Sequence, residues 1–153
     1  MSAKIRVIEV EPQDALAIRE LVPMAQIPKR MGEFLGELAA YLKKKKIAMT
    51  GPPFALYHGF GDDRIDMEVG FPVASPRSGE GRIKACTLPG GKVVTATHVG
   101  PYEELEATYR NIAQWMSENG LKPKELMWER YLTDPQAVKD PSKYVTELFW
   151  PVE

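Results

Sequence analysis

The sequence predicts an α+β protein built from two strand–helix–strand–strand halves, and three observations lead to this fold class. Two segments carry apolar residues at helical spacing, and shorter apolar segments around them have the pattern of strands. The order of these elements is the same in both halves. A closing Glu-x-x-x-Pro-Val motif ends each half. We therefore predict one domain, 1–153, with two pseudo-twofold-related repeats of approximately residues 1–75 and 83–153, whose antiparallel sheets surround a central cleft.

Length and composition are those of a single globular domain. The chain has 153 residues, of which 44% are hydrophobic and 27% are charged. Its formal net charge of -1 argues against a dedicated nucleic-acid binder. No apolar run has the length of a membrane span, and a single cysteine excludes an internal disulfide. We expect a cytoplasmic protein that contacts neither nucleic acid nor membrane directly.

The first half opens with a strand and continues with a helix. Residues 5–10 have a strand pattern that ends before Pro12. A helix is predicted over residues 28–45, because its apolar side chains recur at helical spacing. Residues 54–60 and 65–73 are predicted as the two following strands. The apolar stripe of the helix consists of Met31, Leu35, Leu38 and Leu42.

The second half repeats this order. Residues 83–88 and 93–99 predict a pair of strands. A helix then begins near Pro101, since proline suits the first helical turn and the acidic residues after it suit the positive end of a helix. Two closing strands are predicted at 126–132 and 144–152. The apolar stripe of the second helix consists of Leu105, Tyr109, Ile112 and Met116.

Corresponding positions in the two halves indicate an internal duplication. One constant offset carries the first helical stripe onto the second and also carries Tyr57 onto Tyr131. Further along, Glu68 corresponds to Glu147 within the closing motif. The second half is longer between these points, and the extra residues lie in Asp134–Lys143. The sequence leaves open whether this segment covers the cleft or crosses the surface.

Alternation along the closing strands predicts which side chains point away from the helices. In the second half, Leu148 and Trp150 are expected to pack on the helix, which leaves Glu147 and Phe149 on the opposite face. The same argument places Glu68 opposite the helix in the first half. If the two helix-free faces meet, they enclose a cleft with paired carboxylates and aromatic walls.

Three motifs in the second half, together with a first-half counterpart of the last one, carry a family resemblance over nearly the whole chain. The motifs are His98-Val99-Gly100-Pro101-Tyr102, Trp128-Glu129-Arg130-Tyr131-Leu132-Thr133-Asp134-Pro135 and Tyr144-Val145-Thr146-Glu147-Leu148-Phe149-Trp150-Pro151-Val152, with the counterpart Asp66-Met67-Glu68-Val69-Gly70-Phe71-Pro72-Val73. In this order they resemble the GyrI-like (gyrase-inhibitory-protein-like) family, which includes the effector-binding domains of AraC- and MerR-type transcription regulators. The resemblance implies a central ligand cleft, and it implies that the glutamate matching Glu147 contacts a ligand that is often cationic or aromatic. Since 153 residues leave no room for the helix-turn-helix domain of those regulators, we expect a stand-alone member.

Glu147 is the leading candidate for the binding site. It lies in an otherwise apolar strand, where a carboxylate is costly unless it is paired or solvated. Facing aromatic rings, it would attract an organic cation, and it is the general acid or base if the protein is an enzyme. Trp128 is expected to pack on the helix, and His58 and His98 are expected to be structural. The other ligand-binding candidates are Tyr131, Glu129, Tyr57, Glu68, Tyr102 and Phe149.

The residues leave three functions open. The first is a stand-alone protein that binds a hydrophobic small molecule, cationic or aromatic, and acts as a sensor or as a sequestering protein. The second is a hydrolase of strained small molecules that uses Glu147 in the same cleft. The third is an interaction with a protein partner, such as DNA gyrase or a separate regulator. No cofactor is expected, and two histidines and one cysteine cannot supply a Cys/His metal site.

Overall fold

The chain has an α+β fold, as predicted. The structure, a computed structural model, describes residues 4–60, 63–134 and 137–153. In these ranges the elements in chain order are β1 (Arg6–Val10), β2 (Gln13–Pro23), α1 (Ile27–Lys45), β3 (Phe54–Phe60), β4 (Arg64–Pro72), β5 (Ile83–Leu88), β6 (Gly91–Val99), α2 (Leu105–Glu118), β7 (Met127–Tyr131) and β8 (Val145–Pro151). None of the described helices is long and apolar enough to span a membrane.

The elements group into two compact units. The N-terminal unit is Glu11–Gly90, and the C-terminal unit combines Met1–Val10 with Gly91–Glu153. In the N-terminal unit, β2 pairs with β5 on one side and with β4 on the other, and β4 pairs with β3. In the C-terminal unit, β6 pairs with β1 and β8, and β8 pairs with β7. All of these pairs are antiparallel, so each unit is a four-stranded antiparallel sheet with one α-helix.

Helix α1 packs on its sheet through a stripe that differs slightly from the predicted one. Leu38 and Leu42 are buried as expected, whereas Met31 and Leu35 are only half-buried. Phe34 is fully buried instead. Because Phe34, Leu38 and Leu42 recur at intervals of one helical turn, they form a straighter stripe along the helix than the predicted set.

Helix α2 confirms most of its predicted stripe. Leu105, Ile112 and Met116 are buried, and the helix also buries Thr108. The predicted Tyr109 lies at the margin of the core, where its ring meets Trp150 edge to face at 6.3 Å between centroids. The core cluster of this unit comprises Val94, Ala96, Leu105, Ile112, Met116, Leu148 and Val152.

The first strand belongs to a different unit from the one that the sequence suggests. Residues 5–10 are predicted to open the first half, but β1 pairs with β6 of the C-terminal unit. The N-terminal unit begins instead with β2, which the sequence analysis missed. Ala15–Ile18 in this strand are buried without alternation. The next two residues are charged: Arg19 donates a hydrogen bond to Asp66, and Glu20 accepts one from Arg30. The segment therefore lacks the alternation of apolar and polar residues that would have identified it as a strand.

Both units nevertheless have the same order of elements and the same strand register. The order is β2-α1-β3-β4 in one and β6-α2-β7-β8 in the other, each with a further strand paired to its first strand. In the N-terminal unit Tyr57 lies opposite Met67, and in the C-terminal unit Tyr131 lies opposite Thr146. The predicted correspondence between Tyr57 and Tyr131 therefore has a counterpart in the pairing, while a duplication as its origin stays a prediction.

Substitution of Gly70 tests the close contact between β4 and β2. A β-carbon at Gly70 would lie 2.5 Å from the Leu16 carbonyl oxygen and 2.8 Å from the Ala17 β-carbon. Since backbone atoms cannot yield easily, we expect Gly70→Ala to lower the free energy of unfolding by roughly 1–3 kcal/mol in urea denaturation. The control is Gly36→Ala in α1, where an added β-carbon would meet no described atom within 4 Å outside its chain neighbours and the nearby helix backbone, and a gain of about 0.5–1 kcal/mol is expected. Equal midpoints for Gly70→Ala and the unmodified protein would contradict the contact.

Candidate functional site

The pairing of β7 with β8 decides which face of the C-terminal sheet each candidate occupies. Glu129 lies opposite Leu148, and Tyr131 lies opposite Thr146. Residues that are paired in an antiparallel ladder share a face. Leu148 packs in the core beneath α2. Glu129, Tyr131 and Thr146 therefore lie on the face that carries α2, which we call the helix face.

The opposite face of the same sheet carries Glu147 and Phe149. Arg130 pairs with Glu147 across the strands and donates from Nε to Glu147 Oε1 over 2.9 Å. The Arg130 guanidinium also lies 5.0 Å from the centre of the Phe149 ring. Phe149 stacks on Trp128 at 5.4 Å between ring centroids. Glu147 is thus held in an ion pair beside two stacked aromatic rings.

Two sequence-based expectations are corrected by this arrangement. Glu129 and Tyr131 were expected to line one site together with Glu147 and Phe149, but the two pairs lie on opposite faces of the sheet. Trp128 was expected to pack on the helix; it is buried on the other face. Alternation fixes faces only within one strand, and the register between β7 and β8 that relates the strands could not be inferred from the sequence.

On the helix face, a buried carboxylate and three tyrosines form one cluster. Glu129 is only 4% exposed, and its Oε1 accepts a hydrogen bond of 2.6 Å from the Tyr131 hydroxyl. The Tyr102 ring lies edge-on to Tyr131 at 5.9 Å and 5.3 Å from Tyr144. Burial raises the pKa of Tyr102, and the nearby Tyr144 and Glu129 raise it further. We call Glu129, Tyr131, Tyr102 and Tyr144 the tyrosine–glutamate cluster.

The first resemblance motif builds the turn that presents Tyr102. His98 is buried, and its Nε2 donates to the Pro101 carbonyl oxygen at 3.1 Å. Its Nδ1 therefore accepts from the Thr108 hydroxyl at 2.8 Å, because a neutral imidazole has one donor and one acceptor nitrogen. Gly100 has a φ of 138° and donates its N–H to the Tyr144 carbonyl oxygen at 2.8 Å. His98 thus serves the structural role that was expected for it.

A buried hydroxyl lies next to this cluster. Thr146 is 0% exposed, and within the described ranges its Oγ1 has no hydrogen-bond partner. The strand ladder places Thr146 between Tyr131 of β7 and His98 of β6. Neither Thr146 nor Tyr144 was predicted as a site residue. Both residues alternate with Leu148, which the sequence places against the helix. Continuing this alternation back along the third motif would have placed both on the helix face.

The remaining candidates, Tyr57 and Glu68, belong to the N-terminal unit and lie on opposite faces of its sheet. Tyr57 is buried opposite Met67. Met67 also pairs with Glu20, which accepts a hydrogen bond from Arg30 of α1, so this face carries the helix. Glu68 alternates with Met67 and lies on the other face. The prediction that Glu68 faces away from its helix is confirmed.

Glu68 is part of a compact polar group. His58 donates from Nε2 to Glu68 Oε1 at 2.7 Å. The half-buried Cys86 thiol also interacts with Glu68. Over the part of the chain that the structure describes, no three His, Cys, Asp or Glu side chains are placed to hold a metal ion. In the segment Asp134–Lys143, residues 135 and 136 lie outside the described ranges, and its role stays a prediction.

The surroundings of Cys86 predict a thiol of low reactivity. Burial raises the pKa of Cys86, and the charge of Glu68 and a hydrogen bond to it raise it further. Because the thiolate is the reactive form, we expect slow alkylation by iodoacetamide at about pH 8 in the folded protein and fast alkylation in urea. Glu68→Gln should accelerate the reaction of the folded protein, whereas Glu33→Gln on exposed α1 should not. Equal rates for folded and unfolded protein would show that the thiol is accessible and unperturbed.

Comparison of sequences assigns the chain to a family. The sequence profile of the GyrI-like small molecule binding domain matches residues 3–153. A search of curated protein sequences finds no match.

Solved structures with the same fold were found by structural comparison. The C-terminal domain of EcmrR has a TM-score of 0.88 and 24% identity, covering 100% of this chain and 99% of that domain. EcmrR in complex with DNA has a TM-score of 0.86 and 24% identity over 99% of this chain, which spans only 57% of the EcmrR chain. SAV2435 bound to tetraphenylphosphonium has a TM-score of 0.64 and 14% identity, covering 98% of this chain and 94% of that one. Because the family profile covers nearly every residue, the chain belongs to the GyrI-like family of small-molecule-binding domains.

Proposed function

We propose that the tyrosine–glutamate cluster binds a hydrophobic organic cation and that the protein acts as a sensor or a sequestering protein for it. The observation that carries this proposal is the burial of Glu129, which is 4% exposed and hydrogen-bonded to the Tyr131 hydroxyl. A buried carboxylate is costly to maintain unless its charge is used or compensated. The family's small-molecule-binding character supports a ligand that uses this charge.

The tyrosines supply the apolar part of the site. The Tyr102 ring contacts both the Tyr131 ring and the Tyr144 ring. Aromatic faces attract cations, with a contribution of about 0.5–2 kcal/mol per contact that grows as the cation loses water. A ligand with a positive centre and aromatic or aliphatic substituents therefore matches both parts of the cluster. SAV2435, a structural neighbour of the chain, is bound to tetraphenylphosphonium, a cation of this kind.

Glu129 is a better charge anchor than Glu147 for a physical reason. The Glu147 carboxylate already accepts hydrogen bonds from the Arg130 guanidinium, so a ligand cation would have to displace a protein cation. Glu129 is buried beside the Tyr131 hydroxyl, from which it accepts a hydrogen bond, so a cation that reaches this carboxylate also meets aromatic surface. In the proposed site, Glu129 takes the anchoring role that the resemblance had implied for Glu147.

A matched pair of variants tests the proposal. The probes are benzyl-, naphthylmethyl- and biphenylmethylammonium ions, each compared with the neutral arylmethanol of the same size, by calorimetry and thermal shift. We expect the ammonium ions to bind more tightly than the alcohols, because charge is recognised. Glu129→Gln should weaken ammonium binding by about 10- to 100-fold, the usual cost of losing a charged hydrogen bond. Glu147→Gln is the control and should leave the affinity unchanged.

Three results would count against this function. If none of the ammonium ions binds at millimolar concentration, the cation site is absent. If alcohol and ammonium bind equally, the site recognises shape and not charge. If Glu147→Gln loses binding and Glu129→Gln keeps it, the ligand lies on the helix-free face.

A further inference from the structure

We propose that the Thr146 hydroxyl is a second polar anchor of the site and that it selects ligands with an ammonium N–H over quaternary cations. This inference rests on the proposed function and names the class of ligand. Thr146 is completely buried, and among the described residues its Oγ1 has no hydrogen-bond partner. A buried hydroxyl without a partner costs free energy, so an isolated one requires an explanation.

The position of Thr146 connects it with Glu129. Thr146 lies directly opposite Tyr131 in the ladder, and Glu129 is the next residue of β7 on the same face. Directly opposed β-carbons are about 5 Å apart and diagonal neighbours about 7 Å apart, within reach of a small bridging group. The Glu129 carboxylate and the Thr146 hydroxyl can therefore contact the same ligand atom.

The neighbour on the other side of Thr146 cannot satisfy the hydroxyl. His98 is its partner in β6, but both ring nitrogens of His98 are already engaged. One donates to the Pro101 carbonyl oxygen, and the other accepts from Thr108. The hydroxyl thus remains available to a group that enters the site.

The fold itself does not require polar residues at these positions. In the N-terminal unit, the residue opposite Tyr57 is Met67, where the C-terminal unit has Thr146 opposite Tyr131. The next residue of β3 on that face is Ala55, in the register position of Glu129. Both equivalents are apolar and buried. The carboxylate and the hydroxyl are therefore specific to the C-terminal unit, as expected if they serve its ligand.

The chemistry of this pair distinguishes two kinds of cation. A primary ammonium can donate one N–H to the Glu129 carboxylate and another to Thr146 Oγ1. A quaternary cation has no N–H, so it balances the charge and leaves the hydroxyl unsatisfied. A site that hydrogen-bonds an N–H rejects the analogue that lacks it more strongly than an apolar pocket does.

The test compares one arylmethylammonium ion with its N,N,N-trimethyl analogue, which has the same charge and aryl group. The unmodified protein should bind the primary ammonium about tenfold more tightly or better. Thr146→Val, which replaces the hydroxyl by a methyl group, should lower affinity for the primary ammonium and leave that for the trimethyl analogue unchanged. Thr146→Ser retains the hydroxyl and should preserve the preference.

Each other outcome has a definite meaning. Equal affinity of the unmodified protein for the two cations would overturn the inference and leave the cation site intact. Equal loss of both cations in Thr146→Val would show a packing role instead. Failure of both cations to bind the unmodified protein would refute the proposed function, and this inference with it. Ligand-free Thr146→Val should be at least as stable to urea as the unmodified protein; a marked loss would reveal a protein partner for the hydroxyl and overturn the proposal.

Discussion

The register between β7 and β8 is the constraint on which the site depends. Glu129 opposite Leu148 and Arg130 opposite Glu147 are consequences of one pairing. A shift of one residue would exchange the faces of every side chain in β7. Glu129 would then leave the helix face, and the Arg130–Glu147 ion pair would be lost. The hydrophobic side chains that hold this register, such as Met127 against the core, therefore also determine where the buried charge lies.

The elements around the cluster restrict its geometry through the backbone. Gly100 joins the end of β6 to the start of β8 through its bond to the Tyr144 carbonyl oxygen, and its φ of 138° favours glycine. His98 links the same turn to α2 through Thr108 and Pro101. Two of the three tyrosines thus depend on one short motif. His98 and Gly100 are thus explained by the hydrogen bonds with which they hold the turn.

The sequence predicted the features that depend on local periodicity and missed those that depend on pairing. Both α-helices, the α+β class and the outward orientation of Glu68 follow from patterns within single segments. β2 was missed because Ala15–Ile18 are buried without alternation. The sequence could not distinguish the surroundings of Glu147 and Glu129, because both are glutamates in largely apolar strands, and only the structure shows that Arg130 bonds the former and Tyr131 the latter.

The two units show how a common framework can carry different chemistry. Their closing strands share a register, and each bears a glutamate on the helix-free face, paired with Arg130 in one unit and with His58 in the other. On the helix face, the positions that hold Ala55 and Met67 in the N-terminal unit hold Glu129 and Thr146 in the C-terminal unit. In the N-terminal unit, these two residues only have to fill apolar volume in the core. In the C-terminal unit a carboxylate and a hydroxyl are buried at these positions, and burial of polar groups is costly; this is the difference between the units on which the proposed ligand site is built.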